Sequence, residues 1–290
     1  WHDAIGKDFN YGINWNMACN SNKVTAINNA NHYNEGGKDL LSQNTGTMSR
    51  MEEGHPIGYF YGYKTAGVMQ NAADIQQYLK ENCSGDATKS LQGTDIKPGD
   101  LKFVDVNGDG VIDANDKTEI GSPHPDVTMG LGFNVGYKGF DLSVTTYAAL
   151  GQEVMRSWRK FTDGQHENYT TEVYKYWHGE GTSNKYPRLA PGNTGSNWQQ
   201  VSDIYVEDAS YFRLQNLTLG YDFKNVWKNC PFQQLRLYFS AQNLFTITGY
   251  DGMDPENGMA LNGSEPWVTG VDVGNYPSPR TFLVGVNVKF

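Results

Sequence analysis

Six stretches of this chain alternate apolar and polar residues, and what lies between them is either very short or very long. In 9–19 the apolar series is Phe9, Tyr11, Ile13, Trp15, Met17 and Cys19, set against Asn10, Gly12, Asn14, Asn16 and Ala18. In 127–137 it is Val127, Met129, Leu131, Phe133, Val135 and Tyr137, set against Thr128, Gly130, Gly132, Asn134 and Gly136. Stretches 140–150, 211–223, 235–245 and 282–290 repeat the pattern, and the last ends on Phe290. Successive side chains of a strand point to opposite faces, so period two predicts six strands with one apolar face each. The first half of 211–223 runs out of phase. Arg213 and Gln215 fall in the series of Leu217, Leu219 and Tyr221, which predicts a bulge or a portion beyond the apolar zone.

A soluble sandwich also hides one apolar face, so alternation alone leaves the architecture open. The connections decide more. Lys138-Gly139 reads as a two-residue hairpin turn, and 224–234 as a second short link. Against these stand connections of 22–126, 151–208 and 247–280, lengths that are uncommon in compact soluble domains. Short turns at one side and long loops at the other is the pattern of an outer-membrane β-barrel. The fold class expected is therefore all-β, an antiparallel transmembrane barrel with long extracellular loops. Its apolar faces meet the lipid bilayer and its polar faces line a wet interior. Trp15, Tyr137, Tyr221 and Phe223 fit an aromatic girdle. With the last strand running toward the periplasm, both short turns are periplasmic and all three long loops are outside. Cys83 and Cys230 then lie on opposite sides and cannot pair. Six strands are too few for such a barrel, so further strands are expected before Trp1, and 1–290 reads as the C-terminal part of a longer chain. Closure would remove the edge that a bare apolar last strand otherwise exposes.

Composition removes other classes. The net charge is −9 and no Lys/Arg cluster occurs, which excludes a nucleic-acid partner. No apolar run is long enough for a transmembrane helix. The three cysteines have no spacing of a disulfide framework or metal motif. No HExxH, nucleophile elbow or phosphate-binding glycine loop is present, so no enzyme activity is expected.

The sharpest chemical motif is "DVNGDGVIDAND" at 105–116. Asp105, Asn107 and Asp109 fall at positions 1, 3 and 5 of an EF-hand-like loop, Gly110 at 6, Val111 at 7, Asp113 at 9 and Asp116 at 12. Such oxygen spacing suits a structural Ca²⁺, although Asp116 replaces the usual bidentate Glu. No amphipathic helices flank the loop, so it is not a switch. An Asp/Asn/Gly turn cluster without metal accounts for the same residues. The stretch 98–122 is expected as an extracellular insert around this loop.

The outer loops are rich in aromatic residues, among them Trp158, Trp177, Trp198 and Trp267. Each ring serves either loop packing or ligand contact. As a set they would suit oligosaccharides or peptides. "AADIQQYLKENC" (72–83) reads as a short helix whose Ala73, Ile75, Tyr78 and Leu79 pack against the barrel rim, with docking to a partner protein at the barrel mouth as the alternative.

Several stretches together resemble one family. They are "GHPIGYFYGYKTAGVMQ" (54–70), the run from Pro98 to Val144, "KYPRLAP" (185–191), "ASYFRLQNLTLGYDF" (209–223), "LRLYFSAQNLFTITGYDGMDPE" (235–256) and the terminal "YPSPRTFLVGVNVKF". The chain resembles the C-terminal half of SusC/RagA-type TonB-dependent outer-membrane transporters. That resemblance implies a barrel of about 22 strands in the outer membrane of a Gram-negative bacterium. It also implies an N-terminal plug, import driven by the TonB complex and a SusD-like surface lipoprotein as lid. The plug and the TonB contact are not in this chain, and Phe290 resembles the signal read by the barrel-assembly machinery. Oligosaccharide cargo is favoured over peptide. A calcium-stabilised surface carbohydrate-binding β-protein without transport is the alternative.

Overall fold

The structure is a computed structural model that describes residues 1–40, 45–157, 171–189, 197–256 and 265–290. Its described strands are numbered β1 to β16 in chain order. Seven of them form one antiparallel sheet, the wall. In sheet order they are β1 (His2–Ile5), β2 (Phe9–Cys19), β9 (Val127–Tyr137), β10 (Phe140–Leu150), β13 (Tyr211–Asp222), β14 (Gln234–Thr248) and β16 (Thr281–Lys289). The six expected strands are all present, three of them with the expected ends. β1 was not legible, because four residues are too few to show a period. It pairs with β2 across a turn at Gly6, which takes φ +70°. Among the described residues the two edge strands, β1 and β16, do not pair with each other.

Antiparallel pairing puts the turn 6–8, Lys138-Gly139 and the link 223–233 at one end of the wall, and all three long connections at the other. Both residues of the Lys138-Gly139 turn have positive φ, 46° and 93°. That backbone follows the right-handed twist of its strands. Cys230 lies in the link and Cys83 beyond the opposite end, and both are free thiols.

The apolar face of the wall is left uncovered. Trp15 is 64% exposed and Val284 75%, and Ile13, Phe133, Phe239 and Phe282 are exposed with them. A sandwich would have buried this face against a second sheet. Tyr137, Tyr221 and Phe223 group at the short-turn end, where Phe140 meets Tyr221 at 4.4 Å between ring centroids. Trp15 does not join them. It pairs with Leu131, six residues up the strand from Phe9, or about 20 Å along the wall.

The opposite face fixes the register of β2 and β9. Asn10 faces Gly136, Gly12 faces Asn134, Asn14 faces Gly132 and Asn16 faces Gly130. A Cβ on Gly132 would stand 2.3 Å from Asn14 Oδ1, and one on Gly12 would stand 2.4 Å from Asn134 Nδ2. Each amide therefore occupies the space that its cross-strand glycine leaves. Farther along, Arg236 Nε donates to Asp141 Oδ1 at 2.8 Å, reaching from β14 to β10 across Gly220 of β13.

The out-of-phase half of β13 is a bulge. Thr145 of β10 faces Asn216 and Thr146 faces Leu214, so Gln215 is the extra residue. Arg213 thereby faces Tyr147 and Thr246 on the polar side of the sheet. A regular strand would have turned its guanidinium to the apolar side. On the neighbouring strand Asn243 takes φ +50° opposite the same bulge.

The long connections fold into a cap with its own small sheets. One has the order β3 (Tyr33–Gly36), β4 (Ser49–Glu52), β5 (Tyr59–Gly62) and β8 (Thr118–Gly121). A second has the order β12 (Val206–Asp208), β11 (Glu153–Arg156) and β15 (Val271–Asp272), and a third pairs β6 (Thr65–Val68) with β7 (Leu101–Phe103).

Inserting one Ala between Arg213 and Leu214 turns Arg213 outward. This is expected to lower the stability of the protein refolded in lipid vesicles by up to about 2–4 kcal/mol, the cost of an arginine facing lipid at mid-depth. Deleting Gln215 straightens the strand but leaves Arg213 inward, and should cost less. Urea unfolding separates the two; equal losses would show that the bulge does not set the face.

Candidate functional site

The cap is one packed body. Met48, Phe60, Val68, Met69, Leu101, Phe103, Met155, Val268 and Val271 are fully or almost fully buried in one cluster, drawn from all three long connections. Helix α1 (Ala72–Asn82) opens on Asn71, whose side chain accepts from the Asp74 N–H at 3.0 Å. Ile75, Tyr78 and Leu79 then fall on one stripe and are buried. They pack into the cap core, not onto the barrel rim as expected, and Ala73 is exposed. Residues 98–122 are woven into the same body, with Leu101, Phe103 and Ile112 in its core.

The loop 105–116 is closed by its own hydrogen bonds. Asp105 accepts from the N–H groups of Gly108 and Gly110, both at 2.7 Å. Asn107 accepts from Asp109 N–H and Asp109 from Val111 N–H, both at 2.9 Å. Asp113 caps a short 3₁₀ turn, accepting from Asn115 N–H at 2.7 Å. Asp116 is fully buried; its Oδ1 accepts from Val106 N–H at 2.9 Å and its Oδ2 from Asp113 N–H at 2.8 Å. The carboxylates are thus engaged by backbone donors. Among the described residues no three of His, Cys, Asp and Glu stand together as a metal-holding group.

The three described tryptophans of that set differ in burial. Trp198 is 3% exposed; Tyr176 lies 5.0 Å away between centroids, and the Trp198 Nε1–H donates to Arg188 C=O. In this conformation it is a packing residue with no free face. Trp177 and Trp267 are half-buried against the core, and Trp177 Nε1–H donates to Gln70 Oε1 at 3.2 Å. Trp158 lies outside the described residues. A cavity of about 290 Å³ opens at Trp177, between Val173, Tyr176, His178, Arg188 and Leu189.

Buried charge knots, absent from the sequence reading, hold the cap together. Asp100 is 1% exposed; its Oδ1 accepts from Arg188 Nε and Asn197 Nδ2, both at 2.8 Å. Arg156 donates to Glu172 at 2.7 Å and to Glu207 at 2.9 Å. Arg213, on the wall, donates to Asp254 and Glu256 of the last long connection, both at 2.5 Å. Buried charges need such partners. Burial raises the Asp254 carboxyl, but the N–H groups of Ser278 and Glu256 and the Arg213 guanidinium outweigh it and hold it below the usual range. These partners lie 16 to 97 residues apart in the chain, so no local pattern announces them.

An antiparallel wall with an uncovered apolar face, short turns at one end and a folded cap at the other is a portion of an outer-membrane β-barrel. No family model matches the sequence. TonB-dependent receptor P3 of Formosa agariphila is 32% identical over 99% of this chain, which spans 27% of that protein. TonB-dependent receptor SusC of Bacteroides thetaiotaomicron is 29% identical over 99% of this chain and 25% of its own length. A solved structure described as the RagAB peptide transporter superposes with a TM-score of 0.67 at 20% identity, over 100% of this chain and 28% of that one. The chain thus spans about a quarter of each relative, and over its whole length it is similar to TonB-dependent receptors, SusC among them.

Two predictions follow from the cap. A depressed carboxyl such as Asp254 contributes stability above its unfolded pKa, and that stability is lost as pH falls through the folded value. Protease resistance of the cap is expected to hold at pH 7 and to fall below about pH 4; an Asp254→Asn variant should lose part of it already at pH 7. Asp116→Ala leaves buried N–H groups unpaired, at about 1–3 kcal/mol. The variant is expected to melt lower than wild type in EGTA, because its role needs no ion. Unchanged melting in EGTA would remove that role.

Proposed function

We propose that this chain forms wall and outer cap of an active nutrient importer in the outer membrane of a Gram-negative bacterium. A single observation carries the reading: the whole chain matches TonB-dependent receptors, and its wall turns an apolar face outward. The wall spans the bilayer and the cap faces outside. The parts of the protein beyond this chain supply the plug and the contact with the TonB complex, and a SusD-like lipoprotein lids the cap. The matched relatives are named as receptors, which supports transport over catalysis. Where Phe290 is the last residue of the mature protein, it is the residue read by the barrel-assembly machinery. Its ring packs edge-on against Phe232, 5.3 Å between centroids.

Oligosaccharide is the cargo favoured by the aromatic and amide side chains of the cap, with Trp177 and Trp267 as contacts. Peptide is the second reading, favoured by the likeness to a structure described as a peptide transporter. Ca²⁺ at Asp105, Asn107, Asp109, Val111, Asp113 and Asp116 would act only as a structural ion. A rise in melting temperature with Ca²⁺ that is lost in Asp105→Asn would support it.

The test uses cells that carry or lack the full-length gene, supplied with labelled oligosaccharides or peptides. Uptake of one class is expected to depend on the gene and to stop when the proton gradient is collapsed. Trp177→Ala should reduce it about tenfold, as loss of a stacking contact of 1–2 kcal/mol would. Surface binding that persists without any gene-dependent uptake would replace the importer by a binding protein.

A further inference from the structure

At the short-turn end of the wall lies a cavity whose lining the proposed import leaves unexplained. It holds about 520 Å³ and is lined by Asp8, Tyr137, Lys138, Phe140, Tyr221 and Asn225 together with Val226. Two charges of opposite sign border it, Asp8 and Lys138, both exposed. The Lys138 N–H donates to the Asp8 carbonyl at 3.3 Å, which keeps the two residues adjacent. Yet their side chains do not pair with each other, nor with another charge among the described residues. Lys138 holds its Nζ 5.4 Å from the Tyr137 ring centroid. Above them Phe140 and Tyr221 form an aromatic wall that continues into the uncovered apolar face. Below, Val226 and Trp227 are 64% and 47% exposed on a segment outside the sheet.

We propose that this cavity binds the headgroup of a zwitterionic phospholipid that carries a primary ammonium, of the phosphatidylethanolamine type. Lys138 takes the phosphate, with the Asn225 amide beside it. Asp8 takes the ammonium, and the acyl chains lie along Phe140 and Tyr221. An unpaired cation and an unpaired anion bordering one cavity, with an apolar track leading away, match a zwitterionic amphiphile better than a simple anion. The surroundings favour phosphate in general: Lys7, Lys138, Lys224, Lys228 and Lys289 stand against Asp8 and Asp222 in 6–8, 138–139, 222–234 and 288–290. That is five positive and two negative charges, +3 before any chain terminus, in a chain of −9. Asp222 is already engaged by the N–H groups of Lys224 and Leu235. The carboxylate of Asp8 is what makes the ammonium part of the match.

The proposal rests on the lipid-facing reading of the wall, so the first measurement is whether the full-length protein fractionates with outer membranes. Failure there removes the importer reading itself. The protein is then purified in mild detergent and mixed with equal amounts of phosphatidylethanolamine, phosphatidylcholine and phosphatidylglycerol, and retained lipid is read by native mass spectrometry. Phosphatidylethanolamine is expected to be retained about three- to fivefold over the other two, the factor one well-placed exposed ion pair supplies. Asp8→Asn should erase that preference. Lys138→Asn, which suits the positive φ of the turn, should lower retention of all three lipids. Lys80→Gln, on the cap helix, should change nothing. Equal retention of the three lipids by the membrane-embedded wild type, or an unchanged preference in Asp8→Asn, overturns the proposal.

Discussion

In lipid no water is available to a backbone N–H or C=O, so a membrane-crossing sheet must satisfy every one of these groups across its own strands. Between its two open edges the seven-stranded wall meets that demand by antiparallel pairing, and several of its features keep that pairing in register. A slip by one residue would exchange the two faces of a strand. It would put asparagine in lipid and leucine in the interior. The asparagine-over-glycine ladder between β2 and β9 blocks such a slip sterically, since each amide fits only over a missing side chain. The bulge at Gln215 performs the complementary task, correcting the face of an arginine that strict alternation would have turned outward.

The cap is stabilised by different physics. Its core is an ordinary hydrophobic one, but it is assembled from three connections that are separated in the chain by wall strands. The cap therefore depends on the wall to bring its pieces together, and the wall depends on the cap to cover its open end. The Arg213 knot with Asp254 and Glu256 is where the two meet. Breaking one partner of such a knot leaves a buried charge uncompensated.

The loop 105–116 shows how one residue pattern can serve two chemistries. Asp, Asn and Gly at alternate positions place oxygens where a hard cation could use them. The same oxygens are also at the right distance to receive N–H groups two or three residues on, as Asx turns do. Here the backbone engages them, with Asp116 buried and sharing its oxygens between Val106 and Asp113. Of the tryptophans offered as ligand contacts, Trp198 went to the cap core for a similarly plain reason. An indole in a long connection gains more from burial than from exposure unless something holds it out.

The sequence by itself determined most of the wall: six of its seven strands, their two faces, two of the short turns and the side on which the long connections lie. Period-two alternation is a local signal, and a strand of about ten residues is long enough to display it. The family resemblance was carried by local stretches of the same kind. Only the tertiary structure decided that the long connections form one folded cap, that helix α1 packs into it, and that Arg213 faces inward against Asp254. It also decided that Asp8 and Lys138 border one cavity. Those features join residues that are distant in the chain, and their physical causes are burial, complementary charge and register. No window of neighbouring residues contains them.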